Sequence, residues 1–521
     1  MLGDVVLRQN AYLLQMSHLH MRVFLFSICL LLLFRPVPVS AQVNSDMSAA
    51  FPVIDGLFKD YAAKNHYPGF VYGIVAGGKL VFTGSVGYTN AEKKVPATAL
   101  SDFRIASMTK SFVSVAILQL RDAGKLRLDD PASLYIPELK GQEGPASDAP
   151  VITIRHLLSH SAGFPEDNPW GDRQLAVTDA DLLALVRRGI SFSNSPGIAY
   201  EYSNLGFTLL GYIVKKVSGQ TYETYITEHI LQPLGMTHTY WEYSKVPEAL
   251  LAHGYRWLNG GWVEQPMLHD GAYGAMGGMI TTLEDFAKYT AFQLAAWPSR
   301  SGAEEGPLKR SSCREMQQPW TFNNLNASFS YYAGGPACAQ SSAYCYGLRW
   351  SRDCKGRTMV GHTGGLPGFG SNWMMLTDYG IGVISFSNLT YANAAAINAQ
   401  VLDTLITLAR LKPRAVAATP ILEQRKEELI GLLPGWDKGA ASGIFAVNFF
   451  LDYFVDTLKR DATAVFEKAG KIVRVGAMRA ENNLRGSFVL EGEKGNIEVR
   501  FTLTPETPAL IQEYHIRYME R

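Results

Sequence analysis

Residues 103–124 read FRIASMTKSFVSVAILQLRDAG. Within them Ser107-Met108-Thr109-Lys110 forms an S-x-x-K pattern at the head of an apolar, periodic run. That run predicts a helix over Ser107–Ala123, stopped by Gly124. Positions i and i+3 share a helix face, so Ser107 Oγ and Lys110 Nζ can meet. A serine hydroxyl is a weak nucleophile and needs a base. A lysine serves if burial or a cationic neighbour lowers its pKa. The start of a helix also favours negative charge. A lone S-x-x-K match arises by chance as a capping serine beside a surface lysine, so its weight rests on what accompanies it.

Two motifs accompany it. Tyr202-Ser203-Asn204 follows Ser107 by 95 residues, and His362-Thr363-Gly364-Gly365 follows by 255, at the edge of a predicted strand. A tyrosine beside a lysine can exist as phenolate or pass a proton between nucleophile and leaving group. An asparagine can orient the lysine and bind a substrate amide carbonyl. A glycine-rich strand edge lets a substrate backbone lie close and offers amide N–H groups. The N–H groups of Gly365 and Ser107 are candidates for an oxyanion hole, where one donor is worth about 3–4 kcal/mol.

With these motifs the chain resembles the serine β-lactamase-related family: class C β-lactamases, D-Ala-D-Ala carboxypeptidases, D-aminopeptidases and related esterases. The resemblance spans roughly residues 50–410. It is carried further by Phe103-Arg104-Ile105-Ala106, Leu157-Leu158-Ser159-His160-Ser161-Ala162-Gly163, Tyr202-Ser203-Asn204-Leu205-Gly206, Pro233-Leu234-Gly235-Met236 and Gly277-Gly278-Met279. It implies an α/β (α+β) fold over residues 45–411, an antiparallel sheet flanked by helices with a helical subdomain. It implies that Ser107 is acylated, that Lys110 and Tyr202 share the base and acid roles, and that Asn204, His362, Thr363, Gly364 and Gly365 bind substrate. No metal or cofactor is implied. His160, in the Leu157–Gly163 segment, is expected to pack rather than catalyse.

Tyr-Ser-Asn points to the class C side of the family. His362 stands where β-lactamases carry lysine, a permanent cation for the β-lactam carboxylate. An unperturbed imidazole is mostly neutral at pH 7. The expected function is therefore a serine hydrolase that cleaves small esters or peptides in preference to β-lactams. A D-Ala-D-Ala carboxypeptidase or β-lactamase, and a non-catalytic acyl-binding sensor, are the alternatives. The expected partner is a small-molecule or peptide substrate.

Other patterns fail. Gly73-x4-Gly78-Lys79 is followed by Leu80, where a phosphate-binding loop needs Ser or Thr, and it lies in a predicted hairpin. No G-x-S-x-G or H-E-x-x-H occurs. The net charge of +1 gives no reason to expect nucleic acid. Charged residues at 18% and hydrophobic ones at 47% exclude a mainly disordered chain.

The apolar run Val23–Phe34, preceded by Met21-Arg22 and followed by Val39-Ser40-Ala41, reads as a secretory signal peptide over residues 1–41. It predicts export to the periplasm or beyond, with no transmembrane helix in the mature chain. Four cysteines then remain, Cys313, Cys338, Cys345 and Cys354. Two disulfides are expected, with Cys338–Cys345 nested inside Cys313–Cys354. Zinc is disfavoured because the cluster holds no C-x-x-C pair and no histidine.

Two prolines in Lys412–Pro420 mark a boundary. Beyond it, residues 420–521 are expected to form a small α+β domain. The reading is a long amphipathic helix over Phe445–Ala469, then strands in which Ile497, Val499, Phe501 and Leu503 share one face. This part weakly resembles the nuclear-transport-factor-two-like fold. It carries no catalytic spacing.

Overall fold

The computed structural model describes residues 47–142 and 144–520. The expected signal peptide lies outside the described residues. Among them, no helix is long and apolar enough to cross a membrane.

Gly77 and Gly78 have φ of +57° and +77°. A two-residue hairpin turn whose twist matches its strands needs φ > 0 at both positions. The turn joins β1 (Gly69–Ala76) to β2 (Lys79–Asn90), which pair antiparallel. The sheet also holds β3 (Val95–Pro96), β4 (Thr321–Asn326), β5 (Gln340–Tyr344), β6 (Arg349–Asp353), β7 (Thr358–Leu366), β8 (Phe369–Leu376) and β9 (Ile381–Ser387). Among the described residues its order is β3-β2-β1-β9-β8-β7-β6-β5-β4, antiparallel throughout. The register Phe70↔Ser387 through Ala76↔Ile381 ties the first hairpin to the last strand. Every residue of β1 is buried, as expected of a central strand covered on both faces.

The helices that cover the sheet and build the site are α1 (Phe51–Lys64), α2 (Lys110–Asp122), α3 (Asn204–Ser218), α4 (Leu283–Ala295) and α5 (Ala395–Leu408). On one face α1 and α5 pack a core around Phe58, Tyr72, Val383 and Leu402. On the other, α2 and α4 pack through Phe112, Phe286, Tyr289 and Trp373, and this core runs on into the helices around α3. Stacked Phe112 and Tyr289, 3.9 Å between centroids, and edge-on Phe286 and Trp373, 5.1 Å apart, lock α2 to the sheet through α4. The sheet-and-helix architecture implied by the resemblance is thus the one observed.

Two expectations need correction. The disulfide is Cys338–Cys354, with a Cα–Cα distance of 5.2 Å, while Cys313 and Cys345 are buried free thiols. Strand register explains it. Gln340 pairs with Asp353 at one end of the β5–β6 hairpin, and the chain just beyond that end brings Cys338, two residues before Gln340, diagonally across to Cys354, the residue after Asp353. Cys345 lies at the opposite end of this hairpin, and Cys313 sits in the helix Arg310–Met316 against the main core.

The segment Phe445–Ala469 is not one helix. Phe445 bridges Ile511 in extended form, Phe449–Asp452 makes one turn, and α-helix resumes at Val455 after an extended Phe454 with ψ 130°. The aromatic side chains close on each other instead of forming a single stripe. Phe445 and Phe449 rings, and Phe449 and Tyr453 rings, are both 4.5 Å apart. Residues 420–520 pack around Leu422, Trp436, Phe449, Phe488, Val499 and Ile511, a core distinct from those of the main sheet. Helices α6 (Pro420–Ile430) and α7 (Val455–Ala469) pack there with strands β10 (Ile472–Val475), β11 (Arg479–Asn482), β12 (Arg485–Gly492), β13 (Asn496–Leu503) and β14 (Ile511–Met519). Ile497, Val499, Phe501 and Leu503 of β13 are all buried.

Candidate active site

The expected helix at Ser107 starts as a 3-10 turn, Ala106–Thr109, and becomes α-helical at Lys110. The chain enters through Phe103–Arg104, which pairs with Ile280–Thr281. The Arg104 guanidinium donates to the carbonyls of Gly278 and Leu268, each at 2.7 Å. Ala106 then takes φ +50°, a left-handed conformation that costs a residue with a Cβ roughly 1–2 kcal/mol. Thr109 Oγ1 holds this elbow by donating to the Ala106 carbonyl at 2.7 Å. On the other side, a Cβ on Gly364 would lie 2.2 Å from the Ile105 carbonyl oxygen. Only glycine lets β7 approach the Ser107 turn this closely.

Lys110 is fully buried. Its Nζ contacts Ser107 Oγ at 3.0 Å, Asn204 Oδ1 at 2.8 Å and the Met276 carbonyl at 2.8 Å. An ammonium donates all three bonds. A neutral amine donates two, to the amide and carbonyl oxygens that can only accept, and takes the Ser107 hydroxyl proton on its lone pair. Both states are therefore satisfied, and only the Ser107 bond reverses direction. Burial pushes the lysine well below its usual range; Asp172 and Asp167 oppose this, and the Arg349 guanidinium reinforces it.

Tyr202 is buried, with Lys110 Nζ 4.9 Å from its ring centroid and the Arg349 guanidinium carbon at 5.4 Å. Burial holds the phenol protonated, against the pull of Arg349 and a Ser107 hydrogen bond. Burial thus disfavours a Tyr202 phenolate and favours a neutral Lys110 amine. Asn204 opens α3 and is fully buried. Its amide oxygen is on Lys110 and its Nδ2 donates to Asn168 Oδ1 at 3.2 Å, so in this structure it orients the lysine. Asp167 anchors that helix start by accepting from the Asn204 and Leu205 N–H groups at 2.6 and 2.9 Å. His160 packs on the Tyr202 and Tyr344 rings, each 4.3 Å away, and its Nδ1 accepts from the Ser203 N–H at 3.1 Å.

β6 and β7 stop pairing at Arg349↔Gly361, so His362–Leu366 have no strand neighbour on that side among the described residues. This open edge, with Thr363, Gly364 and Gly365, runs beside the Ser107 turn. It can receive an extended substrate backbone as an added strand. His362 itself is buried, and burial, then Arg349 and Lys110, push its imidazole well below the usual range.

The site also holds groups that sequence reasoning missed. Arg349 lines a cavity of about 260 Å³ together with Tyr344, His362 and Thr363. Asp167, Asp172 and Tyr391 stand behind Asn204 or at the cleft rim. None belongs to a short motif. Arg349 gives no sign in sequence beyond preceding His362 on the adjacent strand.

Residues 54–406 match the family model described as Beta-lactamase. Protein flp of Staphylococcus aureus (strain MW2) is 32% identical over 346 residues, covering 64% of this chain and 62% of its own length. This chain thus spans less than two thirds of that relative. The octameric penicillin-binding protein homologue of Pyrococcus abyssi superposes with a TM-score of 0.56 at 22% identity, covering 90% of this chain and 96% of the other. A class C β-lactamase superposes with a TM-score of 0.54 at 20% identity, covering 69% and 98%. At these identities the two structural matches are matches of fold.

Proposed function

The chain belongs to the β-lactamase family, and from that premise we propose that it is an exported serine hydrolase in which Ser107 attacks an ester or amide carbonyl. The observation that carries this reading is the buried Lys110 Nζ, 3.0 Å from Ser107 Oγ, whose other two partners are oxygens that can only accept. As Oγ bonds to the carbonyl carbon, the amine takes the hydroxyl proton. The Ser107 and Gly365 N–H groups receive the developing oxyanion. The Tyr202 phenol passes a proton to the departing alcohol or amine and is replenished from Lys110. Water then enters, gives a proton back along the same route, and releases the acid.

A specific observation also favours substrates that carry a carboxylate, such as D-Ala-D-Ala peptides or β-lactams. Arg349 places a permanent cation 5.4 Å from the Tyr202 ring and near His362, the residue that stands where the family's β-lactamases carry lysine.

Labelling with a fluorophosphonate, alongside turnover of an aryl ester, a D-Ala-D-Ala peptide and a β-lactam, tests the proposal. Ser107→Ala should abolish labelling and Lys110→Ala should slow it at least 100-fold. Labelling that survives Ser107→Ala overturns the assignment. Labelling without turnover of any substrate would make the protein an acyl-binding sensor.

A further inference from the structure

Behind the nucleophile lies a carboxylate that the acyl-transfer steps do not use. Asp172 follows the short helix Asn168–Gly171 and is 2% exposed. Asn204 Nδ2 approaches its Oδ1 at 3.5 Å, while the Asn204 amide oxygen accepts from Lys110. Tyr391 Oη donates to its Oδ2 at 3.1 Å. A continuous polar chain thus runs Lys110–Asn204–Asp172–Tyr391.

Tyr391 comes from the far side of the cleft, just beyond β9. It is 46% exposed and takes φ +53°, a left-handed conformation that aromatic residues rarely adopt. A Cβ on Gly365 would come within 2.9 Å of its ring. The tyrosine therefore lies over the substrate-binding edge while its hydroxyl reaches across to Asp172.

We propose that Asp172 is a positioning residue for Lys110, and that Tyr391 clasps it from across the cleft so that its negative charge stays directed at the lysine. The inference rests on Lys110 being the base for Ser107.

The surroundings agree with it. Asp172 and Asp167 favour the charged lysine, Arg349 disfavours it, and the nearby His160, His362 and Tyr202 are held neutral by burial. Asp167 is already engaged by two backbone N–H groups. Asp172 has fewer strong donors. Burial raises its carboxyl, while Lys110 and then Tyr391 oppose that rise; Asp167 adds to it and Arg173 counters it. Arg173 and Arg256 also face the Tyr391 hydroxyl.

Aryl-ester kcat/KM measured over pH 5–10 tests the proposal in the full chain. The rate rises with pH as Lys110 loses its proton. Asp172→Asn removes an anion that holds that proton, so the rise should move at least one pH unit towards acid, about a tenfold change in the proton equilibrium. Asp172→Glu should restore the wild-type position. Tyr391→Phe weakens the clasp and should move the rise a smaller distance in the same direction. Tyr391 is half exposed, so this variant decides the matter if Asp172→Asn fails to fold. A lower rate at every pH, with the rise unmoved in the folded variants, would overturn the proposal. Ester turnover that survives Ser107→Ala would instead overturn the underlying assignment.

Discussion

The Tyr344 hydroxyl lies 2.8 Å from Nε2 of His362, and Nδ1 of the same ring lies 2.5 Å from the Thr363 carbonyl. A carbonyl only accepts, so Nδ1 carries the proton and Nε2 accepts from the phenol. The two contacts fix one neutral tautomer in a buried setting that disfavours the charged form. His362 is therefore a fixed dipole on the strand, and lowering the pH to 6 does not turn it into a lysine substitute.

Arg349 supplies a permanent cation at the site, and its role can be read from substrate preference. Arg349→Ala should lower kcat/KM for a β-lactam or a D-Ala-D-Ala peptide by about 10- to 150-fold, as expected for a lost charge-assisted hydrogen bond. A neutral aryl ester should be affected far less. In the wild type, the β-lactam-to-ester ratio should be the same at pH 6 and pH 8. Equal losses on charged and neutral substrates would show that Arg349 only supports Tyr202. A ratio that rises at pH 6 would show that His362 does gain charge.

The difference between His362 and Arg349 shows what the sequence could reveal. His362, Ser107 and Lys110 sit in short motifs, where spacing along one strand or one helical turn sets geometry. The hairpin at Gly77-Gly78 and the alternation in β13 were legible for the same reason, because φ > 0 turns and period-two burial are local. Arg349, Asp172 and Tyr391 reach the site from separate elements, and only tertiary packing joins them. The disulfide was misread because pairing depends on the register of β5 against β6. The aromatic segment Phe445–Phe454 was misread because its rings pack on one another rather than along a helix face.

The Cys338–Cys354 bond makes a countable prediction. Denatured, unreduced protein from an oxidising compartment should show two free thiols among Cys313, Cys338, Cys345 and Cys354. The bond spans 16 positions, and closing a loop of about that length stabilises by roughly 3 kcal/mol in the chain-entropy model. Reducing it should lower the urea midpoint accordingly. Four free thiols, or none, would refute the pairing.

The distinct core of residues 420–520 bears on activity. All the side chains assembled around Ser107 precede Lys412. Arg414 still belongs to the main sheet, since its backbone N–H donates to the Asp378 carbonyl at 2.6 Å. A chain ending at Val416 should therefore fold and keep ester turnover within about threefold of the full protein, an effect under 1 kcal/mol. Complete loss of turnover in a soluble, folded truncation would show that the C-terminal part completes the cleft.

Asp102 offers a test of stability rather than catalysis. Its backbone is tied to Leu250 and Ala252, with N–H to the Leu250 carbonyl at 2.8 Å and carbonyl from the Ala252 N–H at 2.9 Å. Its side chain is fully buried, and among the described residues neither carboxylate oxygen has a hydrogen-bond partner. Burial, then the charge of Asp285, pushes it up to about 7. Asp285 itself is served by Lys288 at 2.7 Å and the His238 N–H at 2.6 Å, so it offers Asp102 no compensation. The folded protein holds this proton to about pH 7, whereas an unfolded aspartate releases it near pH 3.9. The stability due to the protonated acid is therefore complete below about pH 4 and is lost as pH rises towards 7. Over that interval of about three pH units the loss is on the order of 4 kcal/mol. Asp102→Asn keeps the shape and cannot ionise, so its advantage over wild type should grow from about 1–2 kcal/mol at pH 5 to about 4 kcal/mol at pH 8. Urea unfolding at the two pH values reads this directly. An advantage that does not change with pH would show that Asp102 does not hold its proton in the folded protein.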